Sequence, residues 1–130
     1  MKRLIILSLS ILFLACSTED NTDVQLAGTW KLIEVLADPR DGSGTYTPVD
    51  SDKTITFFSN GTIKSNGYFC ASNSNQDNEG VYSLESFTIN VKDCGENNIQ
   101  STIRFGFEKN RLILNFQCFE ACGAKFKKVN

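Results

Sequence analysis

The residues of this chain that could do chemistry are five cysteines and a group of carboxylates, and the sequence contains no histidine. Without histidine, the Ser-His and Cys-His pairs of nucleophilic catalysis cannot form. Asp38, Asp41, Asp50 and Asp52 cluster in one stretch, where paired carboxylates could act on a glycoside or hold calcium. The alternative is a solvated turn, since residues 38–44 mix Pro, Gly and charge without the alternating ligands of a calcium loop. We expect no catalytic residue, metal site or cofactor, and therefore a protein that is not an enzyme.

Cys16 ends a short apolar run, residues 4–15, that follows Lys2 and Arg3. The run is shorter than the roughly 20 residues of a membrane-spanning helix and has the layout of a secretory signal. Residues 12–16, Leu-Phe-Leu-Ala-Cys, resemble a bacterial lipobox. We therefore expect residues 1–15 to be a lipoprotein signal peptide and Cys16 to carry the lipid. The alternative is an ordinary secretory signal that leaves a free cysteine, and either would take the chain out of the cytoplasm.

The segment that follows Cys16 is polar and aperiodic, and we interpret residues 16–25 as a flexible tether. Residues 26–130 then form one domain. Ser17 resembles the residue that directs lipoproteins to the outer membrane, and Glu19-Asp20 resembles an acidic signal for surface display. Loss of Lys2 and Arg3 would take the formal charge from −2 to −4, so nucleic acid is not an expected partner.

Cys70, Cys94, Cys118 and Cys122 remain after Cys16, an even number in an oxidising compartment. The rival interpretation is a zinc site, which the wide spacings and the lack of histidine disfavour. Four cysteines allow three connectivities. From their positions beside the predicted strands, we expect Cys70 to pair with Cys94 and Cys118 with Cys122.

From Gly28 onward, apolar residues alternate with polar ones and β-branched and aromatic residues are frequent, which is typical of half-buried strands. Tight turns at Ser59-Asn60-Gly61, near Glu85 and at Lys109-Asn110 alternate with long connections. This alternation places every tight turn at one end and every long loop, with all four cysteines, at the other. We predict an all-β, eight-stranded antiparallel up-and-down barrel with disulfides near its open rim. The expected strands are 29–36, 53–58, 62–66, 80–84, 86–91, 101–108, 111–117 and 124–129.

Residues 26–30, Leu-Ala-Gly-Thr-Trp, resemble the Gly-x-Trp signature of lipocalins. With residues 55–62, Ser65-Asn66-Gly67 and the closing Cys118-x-x-x-Cys122, the chain resembles lipocalin-like lipoproteins of the Gram-negative cell envelope. The resemblance implies that Trp30 plugs the closed base of the barrel. It also implies a basic residue over the tryptophan, for which Lys127, Lys128 and Arg111 remain alternatives.

The predicted interior could hold a ligand or be filled by its own aromatic rings, which are Trp30, Phe57, Phe87, Phe105, Phe107, Phe116 and Phe126. Tyr46, Tyr68, Phe69 and Phe119 are the candidate rim contacts. One hypothesis is a monomeric, membrane-anchored lipoprotein of the outer membrane that binds a small apolar ligand at the open end. The alternative is a structural or protein-interaction lipoprotein with a filled core whose rim loops bind another envelope protein.

Overall fold

The computed structural model describes residues 26–67, 69, 78–91, 101–118 and 121–130. These residues form nine strands, and no helix among them is long and apolar enough to cross a membrane. The expected signal peptide and tether, residues 1–25, lie outside the described part. The strands are Gly28–Ala37 (β1), Tyr46–Pro48 (β2), Thr54–Phe57 (β3), Thr62–Ser65 (β4), Glu79–Ser83 (β5), Thr88–Val91 (β6), Ser101–Glu108 (β7), Arg111–Asn115 (β8) and Cys122–Lys128 (β9).

Eight of the strands form a closed antiparallel barrel, which confirms the predicted fold. Each strand from β3 to β9 pairs with the next, and β1 closes the ring by pairing with both β3 and β9. The tight connections 58–61, 84–87 and 109–110 all lie at the end where β1 begins, which we call the base. The long connections leave the opposite end, which we call the rim. Near Glu85, the expected junction with almost no loop is a full turn over residues 84–87.

The ninth strand, β2, lies where the sequence predicts a continuous loop from 37 to 52. It pairs with the rim half of β1, from Leu36 opposite Tyr46 to Glu34 opposite Pro48. Pro48 is tolerated because β2 is short and lies at a sheet edge. Beyond it, the Val49 amide donates to the Ile33 carbonyl over 2.9 Å. Strands β2 and β3 thus pair with one edge of β1 in succession, with residues 50–52 looped out between them.

A β-bulge at Ile33 changes which side chains of β1 face the core. Leu32 lies opposite Phe126 on β9, whereas Glu34 lies opposite Lys125, so Ile33 is the extra residue. A shift of one residue exchanges the two faces of a strand. As a result Val35 packs against the core with Leu32, and Glu34 faces outward.

One hydrophobic core lies inside the barrel. Its buried apolar side chains come from all eight barrel strands except β5, with one more from the segment before β1 and one from the segment after β4. They are Leu26, Trp30, Leu32, Ile55, Phe57, Ile63, Phe69, Ile89, Val91, Ile103, Phe105, Leu112, Leu114, Ala124 and Phe126.

Candidate functional site

Trp30 is buried at the base, in the position that the sequence suggests for it. Its side chain is 4% exposed, and the indole N–H donates to the carbonyl of Leu26 over 2.8 Å. The ring centroid lies 6.0 Å from that of Phe107, and the Lys128 ammonium lies 5.8 Å from the indole centroid. Of the three candidate basic residues, Lys128 is therefore the one whose cation–π contact with Trp30 is observed.

Gly28 is required at the start of β1 because the end of the chain crosses directly over it. Its φ is +126°, and a Cβ atom there would lie 2.2 Å from the carbonyl oxygen of Asn130 and 2.8 Å from Cε of Lys128. The Thr29 amide donates to Asn130, and the Val129 amide donates back to Thr29. These bonds fasten the last residues across the base and hold Lys128 over Trp30.

Aromatic rings fill the base half of the interior. Phe107 contacts both Trp30 and Phe105, and Phe57 contacts both Phe105 and Tyr82, with centroids 5.3 to 6.3 Å apart. Tilted and edge-on pairs at these distances are favourable for aromatic rings. In the base half, the aromatic set therefore fills the interior instead of lining a cavity.

Phe87 departs from the rest of the aromatic set. It lies in the turn before β6, not in a strand, and its side chain is 44% exposed. The expectation that it faces the interior is wrong, because β6 begins at Thr88, two residues later than the expected strand 86–91. Its ring contacts the core through Phe105, with the two centroids 5.6 Å apart.

The rim half of the interior is lined by smaller residues. Ser65 ends β4 and Val91 ends β6, and both are buried. Gly80 near the start of β5 and Ala124 near the start of β9 are buried as well. Ile55 lies opposite Ser65 and Leu114 lies opposite Ala124, and both are buried. The interior therefore changes from large rings at the base to aliphatic and small side chains at the rim.

Phe69 lies in this rim half of the interior. The prediction that it is an exposed contact residue is therefore wrong. It lies four residues beyond β4 but is only 5% exposed and belongs to the core. The ammonium of Lys53 lies 5.9 Å from its ring centroid. The physical reason is that burying the ring against the apolar core removes a large apolar surface from water.

Tyr46 also differs from its prediction as an exposed loop residue. It belongs to β2 and is half-buried on the outer face of the barrel, where the ammonium of Lys125 lies 4.2 Å from its ring centroid. Burial raises the pKa of its hydroxyl, opposed in part by the charge of Lys125. A Cβ atom on Gly123 would lie 2.8 Å from the Tyr46 hydroxyl, so this glycine makes room for the ring.

The same outer face carries a carboxylate–lysine cluster that the sequence does not reveal. The Lys125 ammonium lies 2.7 Å from a carboxylate oxygen of Glu108 and 4.0 Å from one of Glu34. The hydrogen bond from Lys125 lowers the pKa of Glu108 and raises that of Lys125. Its three residues come from β1, β7 and β9, so the cluster can be recognised only when the strand order and register of the barrel are known.

In the first loop, Asp38 stabilises the turn that it begins by accepting hydrogen bonds from backbone amides. One carboxylate oxygen of Asp38 accepts from the amides of Arg40, Asp41 and Gly42, and the other accepts from the amide of Gly44. Burial raises the pKa of Asp38, but these backbone bonds outweigh it and the net shift is downward. Within the described residues no group of three or more metal-ligating side chains comes together.

Cys118 and Cys122 form a disulfide at the rim end of β8 and β9, as expected from the sequence. Their Cα atoms are 6.1 Å apart, within the usual range for a bridge. The remaining site predictions fall on residues outside the described part of the chain. They are the lipidation site Cys16, the pair Cys70–Cys94, and the rim contacts Tyr68 and Phe119.

Comparison with known proteins gives one match. Searches of curated proteins and of solved structures found no similar chain. The family model of the lipocalin-like domain matches residues 26–114, more than half of the 130 residues, from Leu26 at the base to the fourth residue of β8. The chain therefore belongs to the family of lipocalin-like domains, and its closed barrel, its buried Trp30 and its Gly-x-Trp start agree with this assignment.

Proposed function

We propose that this chain is a membrane-anchored, non-enzymatic binding protein that takes a small apolar ligand at the open end of the barrel. The observation that carries the proposal is the change in side-chain size along the interior. Rings fill the base half, whereas the rim half has Phe69 as its buried ring and is otherwise lined by aliphatic and small residues, among them Ser65, Gly80, Val91 and Ala124. A barrel of eight strands has room for one small ligand where its side chains are small.

The chemistry of the rim half favours an apolar ligand. Ser65 is the one buried polar or charged side chain of the described core. Its hydroxyl donates to the carbonyl of Thr54 over 2.9 Å and accepts from the amide of Gly67 over 3.2 Å. A polar ligand would therefore lose its bonds to water without replacing them, which is costly in a buried site.

Binding of a fluorescent fatty acid tests the site. Phe69→Ala removes a buried ring from the core, and apolar cavities made in this way bind apolar molecules. We expect this variant to bind the probe more tightly than the natural protein, and Ala124→Leu to bind it less tightly. Phe58→Ala is the matched control, because Phe58 is 44% exposed at the base and should leave binding unchanged.

The membrane anchor is the second part of the proposal, and residues 2–16 support it. A basic start, an apolar run and a cysteine predict lipidation of Cys16, and several acyl chains anchor more firmly than one. Ser17 favours the outer membrane, and Glu19-Asp20 favours display at the cell surface. Cys16→Ala should move the protein from the membrane fraction to the soluble fraction, whereas retention in the membrane would contradict the anchor.

The filled base and the buried Phe69 favour a second candidate, a lipoprotein with a solid interior that binds an envelope protein through its rim loops. Tyr68 and Phe119 are the contact residues it would use. If neither the natural chain nor Phe69→Ala binds the probe, the ligand-binding proposal fails and this candidate replaces it. Cross-linking in intact cells, followed by mass spectrometry, would then identify the partner.

A further inference from the structure

The base of the barrel carries exposed apolar side chains together with a row of cations. We propose that this base face, defined by Phe58, Phe87, Lys109, Arg111, Lys127 and Val129, docks on a phospholipid surface that bears anionic headgroups. The proposal deepens the proposed function, because the lipid anchor would bring this end of the barrel to the membrane. Four features of the described residues support docking by this face.

The first feature is the position of the exposed apolar residues. Phe58, Phe87 and Val129 are 44%, 44% and 49% exposed, and Val81 at 45% is the other large exposed hydrophobic of the described part. Phe58 lies in the turn after β3, Phe87 in the turn before β6 and Val129 directly after β9. Three of the four therefore lie at one end of the barrel. Apolar tips on a shared plane are typical of a surface that meets a membrane interface.

The second feature is the backbone of Phe87, which has a φ of +52°. This left-handed conformation is unfavourable for a bulky residue, and glycine or asparagine would adopt it at lower cost. The strained turn nevertheless holds an aromatic side chain half in solvent. Strain of this kind is more frequent at functional positions than elsewhere.

The third feature is a row of like charges across three strands. Lys127 on β9 lies opposite Lys31 on β1 and opposite Arg111 on β8. Like charges directly opposite each other on a sheet destabilise the fold. Glu108, the cross-strand neighbour of Arg111 on β7, is already bonded to Lys125. Lys31 has a carboxylate of Asp52 at 3.8 Å, but such exposed pairs contribute little. An external anion would relieve the repulsion in this row.

A polar groove extends the row towards the last tight turn. It has a volume of about 410 Å³ and is lined by three cations, Lys109, Arg111 and Lys125, by Asn110, and by the carboxylates of Glu34 and Glu108. This volume is within the range of pockets that hold small molecules. Because Lys125 is bonded to Glu108, Lys109 and Arg111 are the cations of the groove that a phosphate headgroup would meet.

The fourth feature is the difference in charge between the two ends. The rim connections 38–45 and 49–53 carry four aspartates against Arg40 and Lys53, an excess of two negative charges. At the base, four cations, Lys109, Arg111, Lys127 and Lys128, stand against Glu85 and Glu108, an excess of two positive charges. An anionic surface therefore attracts the base and repels the rim, although the chain as a whole is acidic.

Chain length agrees with this orientation. Ten residues, 16–25, separate Cys16 from Leu26 at the base, and a fully extended chain of this length spans at most about 35 Å. An anchor at Cys16 therefore keeps the base nearer the bilayer than the rim. A short tether also raises the effective concentration of the base face at the lipid surface.

The chain contains a built-in reporter for the test. Trp30 is the single tryptophan of the sequence and is buried at the base. We would mix the purified full-length protein with vesicles of phosphatidylethanolamine and phosphatidylglycerol in which part of the phospholipid is brominated. Bromine quenches indole fluorescence at short range, so docking by the base should quench Trp30. Quenching should weaken as salt is raised and should be smaller on phosphatidylcholine vesicles.

Two variants and one control connect the signal to the base face. The double variant R111Q/K127Q should lower binding to the anionic vesicles by about 25-fold, at about fivefold for each cation near the surface. Phe87→Ser should also weaken quenching. Arg40→Gln, an exposed arginine in the rim loop between β1 and β2, should bind like the natural protein. Thermal melting of every variant checks that the barrel remains folded.

Mass spectrometry of the same sample, which detects acyl groups on Cys16, separates this proposal from the lipid anchor. Quenching that falls in R111Q/K127Q and persists in Arg40→Gln supports docking, with or without acyl chains. Acylated protein that shows no quenching keeps the anchor and overturns docking. Quenching that is equal in all variants also overturns it, because the contact would then not involve the base face.

Discussion

Replacing Trp30 tests the account of the base most directly. The side chain is 4% exposed and touches Phe107 and Lys128, while its indole N–H bonds to the carbonyl of Leu26, a residue that is itself fully buried. Trp30→Ala should lower the free energy of unfolding by about 3–5 kcal/mol, the usual cost of removing a buried large aromatic. For a domain of this size, that loss corresponds to a fall in Tm of about 15–30 °C.

A second substitution separates packing from hydrogen bonding. Trp30→Phe keeps a ring against Phe107 but leaves the buried Leu26 carbonyl without its donor, which should cost about 1–3 kcal/mol. The measurement is chemical denaturation with the disulfide intact, followed by circular dichroism because both variants lack the indole. Val129→Ala is the control, since its side chain is 49% exposed and the change should be within about 0.5 kcal/mol.

Two results would refute this reasoning. One is a cost below about 1 kcal/mol for Trp30→Ala, which is the range of surface substitutions. The other is a native emission spectrum typical of an indole in water, which can be measured on the unmodified protein because Trp30 is its single tryptophan.

The remaining predictions concern the outer face, the rim and the disulfide. The bond to Lys125 lowers the pKa of Glu108 in the folded protein, so the pair stabilises the fold at neutral pH and this stabilisation is lost as the pH falls below about 4. Glu108→Gln should therefore flatten the acidic part of a curve of unfolding free energy against pH. Phe69→Ala should lower the free energy of unfolding by about 3–5 kcal/mol in denaturation, and a cost typical of an exposed loop would show that the ring is not in the core. Reducing Cys118–Cys122 should cost about 2 kcal/mol in the loop-entropy model, and a thermal melt with and without reductant measures it.

Much of the barrel is predictable from the sequence because each half-buried strand carries its own signal. Alternation in Ile103-x-Phe105 and Leu112-x-Leu114 identifies the inward faces of β7 and β8, and all four side chains are buried. The tight turns then fix which end is the base, since every strand is antiparallel to the next. These inferences need only neighbouring residues, and local patterns are enough to make them.

Phe69 shows where local patterns are insufficient. Its neighbours in sequence are polar and turn-forming, which predicts an exposed loop. Its burial depends instead on the core that the barrel strands build together, to which the ring belongs although it lies outside every strand. The space that accepts the ring is a property of the assembled barrel, and no single segment of the sequence contains it.

The bulge at Ile33 explains how one strand serves two environments. On the base side of the bulge, Lys31 pairs with Lys127 and Leu32 with Phe126. If that register continued, Glu34 would lie opposite Ala124, an inward position, and a carboxylate would be buried in the core. The extra residue instead places Val35 opposite Ala124 and Glu34 opposite Lys125 on the outer face. The cost of burying an unpaired charge thus accounts for the apolar doublet Leu32-Ile33 in β1.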